Sequence, residues 1–285
     1  MSSPLITTFE AAAPRYDSSG AQFAGPVAEQ LVALAAPRPG DQVLDVGCGA
    51  GAVAVRCARA ISPDGQVTGL DLSEGMLRRT AAEAAARGFG NVRTRLGDAA
   101  EPPFAPASFD TVLASLVLYL LPDTEPALRH WRELLKPGGT LGFSWGIGPD
   151  PRWSPVFAAV DAFAKHAGFE SYVRRVGSPD ELAAQLAALG YTAVEVTTRT
   201  IDVRYTGPRQ WWQASWAEAP RLAWQHIPDA DRDTARRAAF ALLDRMREPD
   251  GTLVRRVRMA FAIAERPAAE SPVTARPATS DGASR

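Results

Sequence analysis

Between Val43 and Gly51 the chain reads Val-Leu-Asp-Val-Gly-Cys-Gly-Ala-Gly. An apolar run carrying one carboxylate, Asp45, breaks into the spaced glycines Gly47, Gly49 and Gly51. Residues without a Cβ let the backbone turn tightly and come close to a ligand. The stretch that follows reads as a helix, whose first N–H groups point at whatever the turn holds. This chemistry suits a nucleotide-like cofactor. The pattern Gly47-x-Gly49-x-x-Ala52 also satisfies a dinucleotide fingerprint, with Asp71 near the spacing of a ribose-binding acid.

Three further features bear on the choice. Asp45 stands two residues before the first glycine, where it can meet the amino group of a methionine-like moiety. Leu96-Gly97-Asp98-Ala99 follows the third strand-like segment. Lys136-Pro137-Gly138-Gly139-Thr140-Leu141 follows an amphipathic stretch and leads into another strand. In this order the set resembles the class I S-adenosylmethionine-dependent methyltransferases over roughly residues 10–145.

The resemblance implies S-adenosylmethionine as methyl donor and S-adenosylhomocysteine as product. It places Gly47, Gly49 and Gly51 against the carboxypropyl end and Asp45 on its ammonium. Asp71 would accept from both ribose hydroxyls, two oxygens for two donors. Leu72 and Met76 would pack on the adenine, Asp98 would accept from its amino group, and the Ala99 N–H would face a ring nitrogen. Ser115, with Leu116, would border the sulfonium. Tyr119 falls where the family often has an aromatic residue or His, toward the acceptor. Arg15-Tyr16-Asp17 resembles an element whose Tyr closes over the cofactor. Plainer roles stay open: Asp71 as a helix cap, Asp98 as a turn acid, Met76 and Tyr16 as core.

Methyl transfer from a sulfonium is an in-line displacement, which the protein assists by alignment and exclusion of water. A hydroxyl acceptor benefits from a general base, most often His. The chain has three: His130, read as a surface residue, and His166 and His226, the catalytic candidates. No metal is expected. Trp145, Trp211, Trp212 and Trp216 are candidates for contacting a flat acceptor, since ligand pockets are largely apolar and aromatic. The expected activity is O- or N-methylation of a small molecule, a secondary metabolite. Two other readings are an enzyme of the same fold that retains the cofactor but catalyses a reaction such as cyclisation, and a noncatalytic binding module.

Alternating strand-like and helix-like segments position these residues. Strands are expected at 42–46, 66–71, 92–96, 109–114 and 140–145, with helices at 21–36, 51–60, 73–87 and 123–135. Short connections between them argue for a doubly wound sheet. Helices at 155–167 and 179–189 and strands at 193–205 and 255–265 follow. The fold class is therefore α/β: a Rossmann-like doubly wound seven-stranded sheet whose last strand is antiparallel, the final hairpin being implied by the family. In the expected organisation, residues 1–36 form an N-terminal helical lid, with 1–9 loose, and 37–150 the cofactor-binding core. Residues 151–205 hold extra helices and strand six, 206–252 a helical cap inserted before strand seven, 253–266 that strand, and 267–285 a disordered tail rich in Ala, Pro, Ser and Thr.

Composition narrows the partners. The 285 residues carry a net charge of −1, without the basic stripe expected of a nucleic-acid or anionic-membrane binder. Cys48 and Cys57 have neither the number nor the spacing of a disulfide framework or zinc site. No apolar run suits a bilayer span, and no signal-peptide pattern opens the chain, so the cytoplasm is the expected compartment. The oligomeric state is not legible.

Overall fold

The computed structural model describes residues 4–16, 20–21, 23–148, 150–164, 176–217 and 220–268. Its centre is a seven-stranded sheet in the order β3-β2-β1-β4-β5-β7-β6. The strands are β1 (Gln42–Val46), β2 (Gln66–Asp71), β3 (Val92–Leu96), β4 (Phe109–Ser115), β5 (Leu135–Gly146), β6 (Thr192–Tyr205) and β7 (Leu253–Glu265). Pairings among the first five are parallel, and β7 runs antiparallel to both β5 and β6. Val43, Leu44 and Val46 are fully buried, as an inner parallel strand covered on both faces requires.

Helices α2 (Ala24–Ala35) and α3 (Ala52–Ile61) cover one face, packing Leu31, Val53 and Cys57 against Val43, Val67 and Phe261. Helices α5 (Thr124–Leu134) and α7 (Pro179–Ala188) cover the other through Leu128, Trp131 and Leu186. Polar caps set several starts: Ser73 accepts from Met76 N at 3.1 Å at the head of α4 (Glu74–Ala86), and Ser178 forms a reciprocal capping box with Glu181 on α7. Helices α8 (Pro208–Ala217), α9 (Arg221–Trp224) and α10 (Asp229–Leu243) lie between β6 and β7 and pack on α6 (Ser154–Asp161). No described helix is long and apolar enough to cross a membrane.

Some boundaries differ from expectation. Residues 4–9, expected to be loose, belong to α1 (Pro4–Ala12). The reason lies far along the chain: Glu10 accepts from Ser73 Oγ and from Gly75 N at 3.0 Å, and Thr8 bonds Gln225 in the cap segment. Strand β5 begins at Leu135 rather than Thr140, because Leu135 already pairs with Phe109 before a register shift. The expected helix over 155–167 is described only as α6 and a short turn. Residues 165–175, His166 among them, lie outside the described residues, as do Asp17 and most of the expected tail.

The Ser73 hydroxyl, the Gly75 N–H and the nearby Arg78 hold the Glu10 carboxyl below its ordinary value. A depressed carboxyl stabilises above its unfolded value and loses that contribution as pH falls. Glu10→Gln is therefore expected to loosen α1 at neutral pH. Hydrogen exchange should show faster exchange of the α1 amides, with those of β1 and β4 unchanged.

Candidate active site

The strand order reverses between β1 and β4, and crevices at such switch points, outside the carboxyl ends of the strands, are where α/β sheets bind ligands. A cleft of about 910 Å³ opens there. Every residue assigned to the cofactor from the sequence lines it: Tyr16, Asp45, Gly47, Gly49, Gly51, Asp71, Leu72, Met76, Asp98, Ala99 and Ser115. Tyr119, assigned to the acceptor, lines it too.

The glycine turn is held from three sides. Cys48 N donates to Leu70 O at 2.9 Å, Thr80 Oγ1 donates to Gly49 O at 2.8 Å, and Gly49 N donates to Asp71 Oδ2 at 2.9 Å. Gly47 has φ +64°, and a Cβ there would stand 2.5 Å from Val117 Cγ2. The loops after β1 and β4 thus touch, and only glycine fits between them.

Asp71 accepts from Ser73 N through Oδ1 and from Gly49 N through Oδ2. Ser73, rather than Asp71, caps α4 with its side chain. Beside the Ser73, Gly49 and Leu72 N–H groups, the Asp71 carboxylate keeps acceptor capacity for a hydroxyl. Burial raises its carboxyl above the ordinary value, opposed by the Ser73 and Gly49 N–H bonds. Asp45 is buried, and its Oδ2 has no hydrogen-bond partner. Burial pushes its carboxyl well up, with the Asp71 charge adding to the rise. An orphaned buried carboxylate oxygen is costly unless a ligand donor meets it. The donor set therefore fits an amino-acid ammonium at Asp45 and a ribose at Asp71.

Asp98 is exposed at the cleft rim, where Oδ1 accepts from Ala100 N at 2.8 Å. Trp131 Nε1 donates to Ala99 O at 2.8 Å, tying this loop to the core. Ser115 Oγ lies 3.1 Å from Ser144 Oγ at the ends of β4 and β5. Beside it, Leu116 has φ +62°, the left-handed region that a leucine seldom occupies outside constrained sites. Cys48 and Cys57 are free and buried, and burial pushes both thiols up.

Several residues expected on the acceptor side stand away from the cleft. Trp145 is buried on β5 against Phe143, and Trp211, Trp212 and Trp216 pack with Trp153 and Trp224 inside the cap; none of Trp145, Trp211, Trp212 or Trp216 lines the cleft. These rings are the apolar surface that holds α8 and α9 against α6 and α10. His226 is exposed and off the cleft wall, and His130 is half-buried away from it. Instead Phe23, Phe157, Trp224, Arg255 and Val257 line the cleft beside the cap cluster, and Met259 lines it next to Gly146 at the end of β5. Of these, Phe23 precedes α2 and Arg255 lies on β7, positions marked by no motif in the sequence. The one sequence signal was the alternation of 255, 257 and 259, which puts three side chains on one side of a strand.

A family model described as a methyltransferase domain matches residues 43–139. The chain is 37% identical over 252 residues to the nocamycin O-methyltransferase of Saccharothrix syringae, covering 82% of this chain and 86% of that one. It is 32% identical over 207 residues to the aklanonic acid methyltransferase DauC of Streptomyces sp. strain C5, covering 68% and 94%. Among solved structures, YcgJ from Bacillus subtilis superposes with a TM-score of 0.57 at 19% identity, over 86% of this chain and 99% of that one.

Proposed function

Because the chain belongs to the class I S-adenosylmethionine-dependent methyltransferases, we propose that it methylates an acidic oxygen of a flat secondary metabolite. The observation that carries this reading is one cleft with two unlike ends: Asp45 and Asp71 at one, Phe23, Phe157 and Trp224 at the other. Two relatives support it by name, one an O-methyltransferase and the other acting on an acid.

S-Adenosylmethionine supplies a methyl group on a positively charged sulfur. Asp45 takes the ammonium, Asp71 the ribose hydroxyls, and Asp98 with Ala99 the adenine edge. Ser115 and Leu116, at the end of β4, border the reacting centre, and Tyr119 stands near it. Phe23 and Phe157, backed by the buried Trp224, present apolar surface that aligns a planar acceptor and excludes water. His226 lies off the cleft. Among the described residues no histidine lines the cleft, His166 lying outside them, and an acceptor oxygen acidic enough to ionise unaided fits that lining better than a simple alcohol.

Purified protein should release S-adenosylhomocysteine, followed by mass spectrometry, with hydroxyanthraquinone carboxylates but not with aliphatic alcohols or amines. Asp71→Ala should weaken S-adenosylhomocysteine binding about 10- to 100-fold, the worth of one or two charge-assisted hydrogen bonds. Product formed without S-adenosylhomocysteine would favour a cyclase-type reaction, and binding without any turnover a noncatalytic module.

A further inference from the structure

We propose that Arg255 is the acceptor's anion-binding residue, so that the enzyme selects a planar acceptor carrying a carboxylate or ionised enol at its cap-side end. This rests on the methyltransferase reading above and adds the substrate class to it.

Strand β7 is antiparallel, so its first residues stand beyond the carboxyl ends of the parallel strands, over the cleft. Arg255, Val257 and Met259 all line that cleft. The Arg255 guanidinium carbon lies 5.7 Å from the Phe23 ring centroid and 5.7 Å from that of Phe157, within cation–π range of both. Its Nε is buried without a hydrogen-bond partner, and no described carboxylate pairs with it.

The neighbouring charges are already engaged. Arg152 bonds Val254 O and Asp150, and Asp150 also accepts from Arg256 N. Arg256 faces Asp202 across the hairpin, and Asp161 accepts from Trp224 Nε1 at 3.1 Å. Arg255 is thus a cation on the cleft wall whose neighbours are rings rather than carboxylates. A guanidinium flanked by aromatic faces keeps its donor edge for a planar anion, which it can grip with two N–H groups. Met259 pairs with Gly146 at the end of β5, and Arg255 stands four residues up the strand, a rise of roughly 13 Å. That separation puts the anion at the far end of a multi-ring acceptor from the methylated oxygen.

Calorimetry on the full chain with saturating S-adenosylhomocysteine tests this, using anthraquinone-2-carboxylate and its neutral carboxamide as probes. Wild type should prefer the carboxylate by about tenfold or more, the usual worth of a charge-assisted pair. Arg255→Met should remove the preference and Arg255→Lys restore part of it, each binding S-adenosylhomocysteine as wild type does, which shows that the variants are folded. Equal binding of both probes by wild type, no binding of either, or a preference retained in Arg255→Met would overturn the proposal. Failure of wild type to bind S-adenosylhomocysteine would instead remove the methyltransferase reading, and the proposal with it.

Discussion

Asp45→Asn is expected to weaken S-adenosylhomocysteine binding on the order of 100-fold and, at neutral pH, to raise the melting temperature of the ligand-free protein. Both effects come from one carboxylate. Asp45 sits in the wall of β1 with Oδ2 buried and unbonded, so without a ligand its burial is compensated only in part, by the Ala54 N–H. Its neutral isostere costs less to bury but has no charge to offer an ammonium. Because burial raises the carboxyl in the folded state, the ligand-free native protein binds more protons than the unfolded chain between about the ordinary 3.8 and the raised native value. Stability from this group is therefore present at low pH and declines as pH rises through the native value. A bound ammonium favours the ionised form, so binding below that value releases a proton, and affinity climbs with pH across the same window. Calorimetry in two buffers of different ionisation heat should detect the released proton in wild type and none from this site in Asp45→Asn. Equal affinities in the two proteins would remove Asp45 from the cofactor site.

Trp211→Ala is expected to cost about 3–5 kcal/mol of stability, the range for losing a fully buried large aromatic side chain. The Trp211 ring lies 5.4 Å from Trp224, 6.0 Å from Phe157 and 6.1 Å from Trp153, so one truncation opens a cavity among elements α6, α8 and α9. Trp211→Phe should cost much less, because the indole N–H has no partner to lose. Urea unfolding followed by circular dichroism measures both. A stable Trp211→Ala protein that had lost only acceptor turnover would return Trp211 to the acceptor site, where the sequence alone had placed it.

The contrast between Asp45 and Trp211 shows where sequence reasoning reaches. Asp45 stands one residue before the end of β1, Asp71 ends β2 and Asp98 follows β3, with the glycine turn directly after β1. Such residues are close in space because each is close in sequence to the same sheet edge, so local pattern locates them together. The cap differs. Trp211, Trp212 and Trp216 fall on successive turns of α8, yet whether that face meets the cleft or α6 and α10 depends on segments hundreds of residues apart in some cases, as the bond between Thr8 and Gln225 illustrates. Phe23, Phe157 and Arg255 come from three distant elements and meet only in three dimensions.

What the sequence determined by itself was the alternation of strands and helices, the switch-point turn with its carboxylates, and a helical insert ahead of the last strand. These depend on hydrophobic period, glycine geometry and caps, all of which act over a few residues. The tertiary structure alone decided that α1 is ordered, by placing Glu10 at the head of α4. It also decided that the tryptophans of the cap insert, Trp224 apart, turn away from the cleft, and that Arg255 stands between two rings on its wall. Each of these is settled by which side chains compete for the same buried space, and that competition exists only once the elements have packed.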